Sequence, residues 1–185
     1  MKKKIIIFVV LYFYIWTATA GLFKFDLKEM NTGSAYHNMT EAILSGQLHL
    51  LIKPSPELLA LKDPYDPGQN GPYKLHDASL YKGKYYYYFG PAPIFLLYAP
   101  VKLLTNVFLP DSLVILLFGF GGFLFSYGIL LHLHKEYFKE ISESVIALVT
   151  LILGISNWVP FLLRRPDMYE VAISCSLFLL NGALY

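Results

Sequence analysis

Apolar residues in this chain come in blocks, not at helix or strand period. They run over residues 5–23, 113–133 and 145–163, and a fourth block opens near Val171. Each of the first three has about the 17–25 residues that cross a bilayer core. A soluble fold leaves one polar face on each helix or strand, and blocks of this length leave none. Charge agrees: 15% of the 185 residues are charged and 56% hydrophobic, against roughly 25% charged in an ordinary soluble domain. The pattern excludes a soluble enzyme, a disordered chain and a nucleic-acid module. It predicts an all-α integral membrane protein. A net charge of +2, from 15 basic and 13 acidic residues, is too balanced to recruit nucleic acid.

Residues 1–23 read either as a first transmembrane helix with Lys2, Lys3 and Lys4 at its cytoplasmic end, or as a signal peptide ending at Ala18-Thr19-Ala20. Both deliver the following residues outside the cytoplasm. Residues 24–90 form a folded extracytoplasmic loop. Met39-Thr40-Glu41-Ala42-Ile43-Leu44 predicts a short helix stopped by Gly46, and Ser55-Pro56 starts another, with Ser as cap and Pro at the first helical position. The strings Ser79-Leu80-Tyr81 and Lys84-Tyr85-Tyr86, joined by Lys82-Gly83, predict a hairpin. Residues 91–110 are apolar but interrupted by Pro100 and Lys102, which predicts an interfacial or re-entrant helix with Lys102 reaching the headgroups. Residues 113–133 and 145–163 then cross inward and outward, and 164–170 form a second outer loop. The block over 171–185, roughly 15 residues, is short of a crossing and reads as the start of a further helix. The expectation is three full transmembrane helices plus a truncated fourth, at the front of a longer protein.

Phosphate-loop, HExxH and GxSxG motifs are absent. Gly119, Gly121 and Gly122 lie inside an apolar run, where helix packing accounts for them. Cys175 stands alone, so no disulfide, CxxC pair or zinc site can form within the chain. The outer loops hold the chemistry. Arg164 and Arg165 at a membrane surface suit a lipid phosphate, because the guanidinium fork matches phosphate oxygens. Asp167 and Glu170 beside them could serve as general base towards a sugar hydroxyl or hold a divalent metal ion on the phosphates. No other cofactor is evident. Tyr85 and Tyr87, with His76 and Asp77, could line a sugar or acceptor pocket. The plainer account of the arginines and tyrosines is interfacial anchoring of helix ends.

The order of features — one outward helix, a long outer loop, the proline-led Phe89-Gly90-Pro91-Ala92-Pro93-Ile94, then a helix pair closing on Arg164-Arg165-Pro166-Asp167 — resembles the N-terminal part of GT-C membrane glycosyltransferases. The nearest group in appearance is the bacterial protein-mannosyltransferase and aminoarabinose-transferase-like set. Glu41-Ala42-Ile43-Leu44-Ser45-Gly46, Asp63-Pro64-Tyr65-Asp66-Pro67 and Tyr81-Lys82-Gly83-Lys84-Tyr85-Tyr86 are similar to runs in its mostly uncharacterised members. The resemblance implies sugar transfer from a polyprenyl-phosphate donor to a glycan, lipid or protein acceptor, on the outer face of a bacterial inner membrane. It implies a catalytic Asp-Glu pair shortly before a Tyr. With Tyr36 as that Tyr, the pair falls on Thr32-Gly33, a departure that leaves Asp26 or Glu29 as substitutes. It further implies catalytic roles for Asp167 and Glu170 and donor-phosphate binding by Arg164 and Arg165. The competing expectation is a non-catalytic multi-spanning subunit that uses its outer loop for protein interaction.

Overall fold

A computed structural model describes residues 2–21 and 33–185. It is mostly helical. In chain order the elements are α1 (Lys2–Ala18), α2 (Ala35–Leu44), α3 (Pro56–Leu59), α4 (Pro67–Asn70), β1 (Ser79–Tyr81) and β2 (Lys84–Tyr86). A π-helical turn, Ile94–Tyr98, then runs into α5 (Ala99–Thr105), followed by α6 (Asp111–Tyr137), α7 (Glu143–Ile155), α8 (Val159–Arg164) and α9 (Met168–Leu184). Two compact units result: Met1–Asn31 with Leu109–Tyr185, and Thr32–Phe108.

The first unit is a helix bundle. Among the described residues, two segments are long and apolar enough to cross a membrane, Asp111–Tyr137 and Glu143–Arg164. α1 and α9 are apolar but shorter, at 17 residues each. α6 outruns its apolar block at both ends: Asp111 lies in the first turn and His134 and Lys135 in the last, the charge order that complements the helix dipole. The second segment is not continuous. α7 ends at Ile155, and Ser156, Asn157 and Trp158 break the helix before α8 begins.

Helix directions follow from paired contacts. Phe118 meets Phe178 at 5.6 Å between ring centres, Asn181 Nδ2 donates to the Gly122 carbonyl at 3.4 Å, and Gly128 lies against Tyr185. Both numbers rise together, so α6 and α9 are parallel. Gly154 faces Phe123 while Val159 faces Gly119, so the α7–α8 segment is antiparallel to α6. α1 runs with α7: Val10 packs on Gly154, and Tyr14 reaches Asn157. Glycines are contact points throughout. A Cβ on Gly119 would stand 2.5 Å from Val159 Cγ1, and one on Gly121 2.8 Å from Phe178, the close approach that small residues permit between membrane helices.

This bundle carries large apolar side chains outward on all its long helices, among them Phe8, Tyr12, Leu117, Leu148, Trp158, Phe161 and Leu180. Water tolerates few contiguous patches of that kind, whereas lipid does. Hydroxyls inside the bundle are satisfied locally: Thr17 and Thr150 donate to carbonyls four residues back at 2.7 and 2.8 Å, as a medium without water requires.

The second unit has a small core of Leu50, Leu58 and Tyr85, covered by Met39, Leu61, Leu75, Ala78, Leu80 and Tyr87. β1 and β2 pair antiparallel in the register Ser79–Tyr86 to Tyr81–Lys84. Their two-residue turn places Lys82 at φ 48° and Gly83 at φ 70°, the doubly left-handed turn that matches strand twist. Ser55 Oγ accepts from Leu58 N at 3.1 Å, and Gly46 at φ 74° ends α2. Asp63-Pro64-Tyr65-Asp66-Pro67 is partly helical: Asp66 caps the single turn of α4 by accepting from Gly68 N at 2.8 Å. Separately, Tyr36 lies flat on Tyr98, 5.6 Å between centres and 3° between planes, while His37 stacks on Phe108 at 4.4 Å.

Candidate functional site

The alternating directions of the bundle gather four helix ends together: the C-termini of α1 and α8 and the N-termini of α6 and α9. Arg164, Arg165, Asp167, Glu170 and Asp111 therefore share one end of the bundle. The two arginines are exposed on the tight link between α8 and α9, and neither forms an ion pair among the described residues. Their charges are open to an incoming anion.

Asp167 has a definite local task. It sits in extended backbone, φ −140°, and its Oδ1 accepts from Met168 N at 2.8 Å as the cap of α9. Its side chain remains exposed, so its second oxygen is open to solvent. Glu170, in the first turn of α9, differs. It is only 7% exposed, and its Oε2 has no hydrogen-bond partner among the described residues. A carboxylate oxygen held away from water without a donor costs free energy, partly offset by the positive end of the α9 dipole. Such an atom is free to accept a hydrogen bond from a donor brought to it.

Asp111 is a residue that sequence reasoning missed. It too is 7% exposed, in the first turn of α6. The signal was present as an acid following Pro110 at the mouth of an apolar block. Asp26 lies outside the described residues.

The residues expected to form a sugar pocket divide. Tyr85 is a core residue, 3% exposed, and its hydroxyl oxygen accepts from Leu75 N at 3.2 Å. It has no face left for a ligand, because alternation along β2 turns it inward. His76, Asp77 and Tyr87 do come together. His76 Nε2 lies 3.4 Å from Asp77 Oδ2, with the imidazole largely in solvent. Burial pushes the Tyr87 phenol above its ordinary value; a hydrogen bond with Asn38 works against this, and the Asp77 charge adds to it. His37, which sequence reasoning did not single out, is 3% exposed within the aromatic stack. Its signal was the buried face of α2, which Thr40 shares three residues on. Lys102 does not project freely: it donates to the Asn106 carbonyl at 3.1 Å and lies 4.3 Å over the Phe108 ring.

Among the described residues, no group of three or more His, Cys, Asp or Glu side chains is placed to hold a metal ion. No protein-family model matches the chain, and neither a curated protein nor a solved structure matches it.

Proposed function

We propose that this chain belongs to a membrane-embedded glycosyltransferase-like enzyme that transfers sugar from a polyprenyl-phosphate donor at the Arg164–Glu170 end of its bundle. One observation carries the reading: a buried carboxylate oxygen on Glu170, unpartnered among the described residues, beside an exposed arginine pair. In this scheme Arg164 and Arg165 bind the donor phosphate through charge-assisted hydrogen bonds. Glu170 takes the proton from an acceptor hydroxyl as its oxygen bonds to the anomeric carbon of the sugar. The bond from that carbon to the phosphate oxygen breaks, and the polyprenyl phosphate departs with the electron pair. Asp167 holds α9 in register for this step. The acceptor is a glycan, lipid or protein.

The same reading sets the chain in a bacterial inner membrane as a multi-pass protein. α1 and α7–α8 run outward and α6 and α9 inward, with residues 24–90 and 164–170 outside. Charge favours this orientation. Lys2, Lys3 and Lys4 lead α1, and Lys135 and Lys139 flank the link between α6 and α7. These lysines fall at the end of the bundle opposite the arginines, and lysine-rich ends stay cytoplasmic.

Membranes carrying the full chain test the proposal. Glu170→Gln is expected to abolish sugar transfer while leaving membrane insertion unchanged; unchanged transfer removes Glu170 from the chemistry. Arg164→Gln with Arg165→Gln should weaken polyprenyl-phosphate binding by about tenfold or more, the loss expected for charged hydrogen bonds. Absence of phosphate-dependent binding in the parent chain would favour the non-catalytic subunit.

A further inference from the structure

The second unit contains a pocket that shares no residue with the arginine end of the bundle. It has a volume of about 420 Å³ and opens between residues 47–54, Leu59 and the hairpin turn at Gly83 and Lys84. Its lining charge has one sign: Lys53 and Lys84 are present, and no acidic side chain lines it. Neither lysine has an ion-pair or hydrogen-bond partner among the described residues.

Two features of the fold bring these distant lysines to one cavity. The Leu50 N–H donates to the Tyr85 carbonyl at 2.8 Å, tying residues 47–54 to β2. The left-handed turn at Lys82 and Gly83 then sets Lys84 at the pocket edge, and nothing lies within 4 Å of where a Gly83 Cβ would be. Gln47 and His49 add hydrogen-bonding groups to the lining. The rest of the wall is apolar and open to the surface, with Leu51 48%, Ile52 39% and Leu59 50% exposed.

Both lysines are exposed at the rim of one cavity, where an anion can meet two cations at once. Ammonium groups suit phosphate as point charges, and an apolar wall beside them suits a ligand with a hydrocarbon part. We infer that this pocket binds a phosphate carried on an apolar body, the headgroup region of an anionic phospholipid. Lys53 and Lys84 neutralise the phosphate, Gln47 and His49 donate to its oxygens, and Leu51, Ile52 and Leu59 take the first carbons of the acyl chains.

The test uses the full chain in detergent micelles and follows the Gly83 backbone amide by NMR. Dihexanoyl phosphatidylglycerol should move that signal saturably, and dihexanoyl phosphatidylcholine, whose phosphate carries its own cation, should not. Lys53→Gln with Lys84→Gln should weaken the phosphatidylglycerol response by about tenfold or more, as expected for two charged contacts. Lys74→Gln, exposed on the same unit, should leave it unchanged, as should Arg164→Gln with Arg165→Gln. An unmoved free-state amide signal from Leu58, in the core of this unit, shows each variant folded. Equal response to inorganic phosphate keeps the phosphate site and overturns the lipid as its source. Equal response to phosphatidylcholine, or an affinity indifferent to both lysines, overturns the site.

Discussion

Asn157 stands at the helix break and holds it from several sides. Its Nδ2 donates to the Tyr14 hydroxyl at 2.8 Å and to the Leu153 carbonyl at 2.6 Å, and its Oδ1 accepts from Val159 N at 2.9 Å. One side chain thus satisfies groups that the missing helical turn leaves open and ties them to a wholly buried tyrosine on α1. A Tyr14→Phe and Asn157→Leu cycle should return a coupling energy of about 0.5–1.5 kcal/mol, the range found for hydrogen bonds between membrane helices. Unfolding midpoints in detergent measure it; strict additivity would show the bond to contribute nothing. Tyr87 makes a second prediction at this scale. Its folded pKa is raised, so folding favours the neutral phenol. That stability is complete below the ordinary tyrosine value of about 10 and is lost as pH climbs from there through the folded value. Melting curves of the parent and Tyr87→Phe should therefore diverge above that pH and run parallel below it. At this scale the sequence revealed types better than duties. Tyr85 and Tyr87 read alike in a run of four tyrosines, yet one is core and the other borders Asp77, because burial depends on tertiary partners that no local string encodes.

Among the elements, those with local chemistry were the legible ones. Ser55-Pro56 starts α3 as expected, and Lys82-Gly83 turns the hairpin despite the cost of a left-handed lysine. The turn depends on Gly83. Gly83→Ala should destabilise the protein by about 1–2 kcal/mol although the site has room for a methyl group, since the cost is conformational and not steric; thermal unfolding checks it. Gly119 is the opposite case. Its backbone is ordinary helix, but Gly119→Ala forces a carbon onto Val159, and overpacking of that kind costs about 1–3 kcal/mol. The break between α7 and α8 was not legible. Hydropathy dips only briefly, at Ser156-Asn157-Trp158, within residues 145–163, and it reports the solvent a segment prefers, not whether its backbone is continuous. Ser156-Asn157 ahead of Pro160 was the available clue, since proline is tolerated in the first turn of a new helix.

For the whole molecule, apolar blocks mark where the long helices lie, but only contacts give their directions. α6 parallel to α9, and both antiparallel to α1 and α7, is a statement about pairs such as Phe118 with Phe178 and Tyr14 with Phe120. The proposed orientation makes a direct prediction. With Cys175→Ser as background, single cysteines at Lys74 and Arg165 should react with an impermeant maleimide on intact cells. A cysteine at Lys139 should react only after permeabilisation. Labelling of the Lys139 position on intact cells would invert the topology.

The chain leaves the bundle at the C-terminus of α1 and re-enters it at the N-terminus of α6, and these two termini lie at the same end. Residues 33–108 are therefore a detour that does not change the parity of the strokes up and down the bundle. Such an insert can lengthen, shrink or be exchanged between relatives without reversing a single later helix, whereas one added crossing would turn every helix after it upside down. The directions of the later helices thus place no constraint on the length of this cassette.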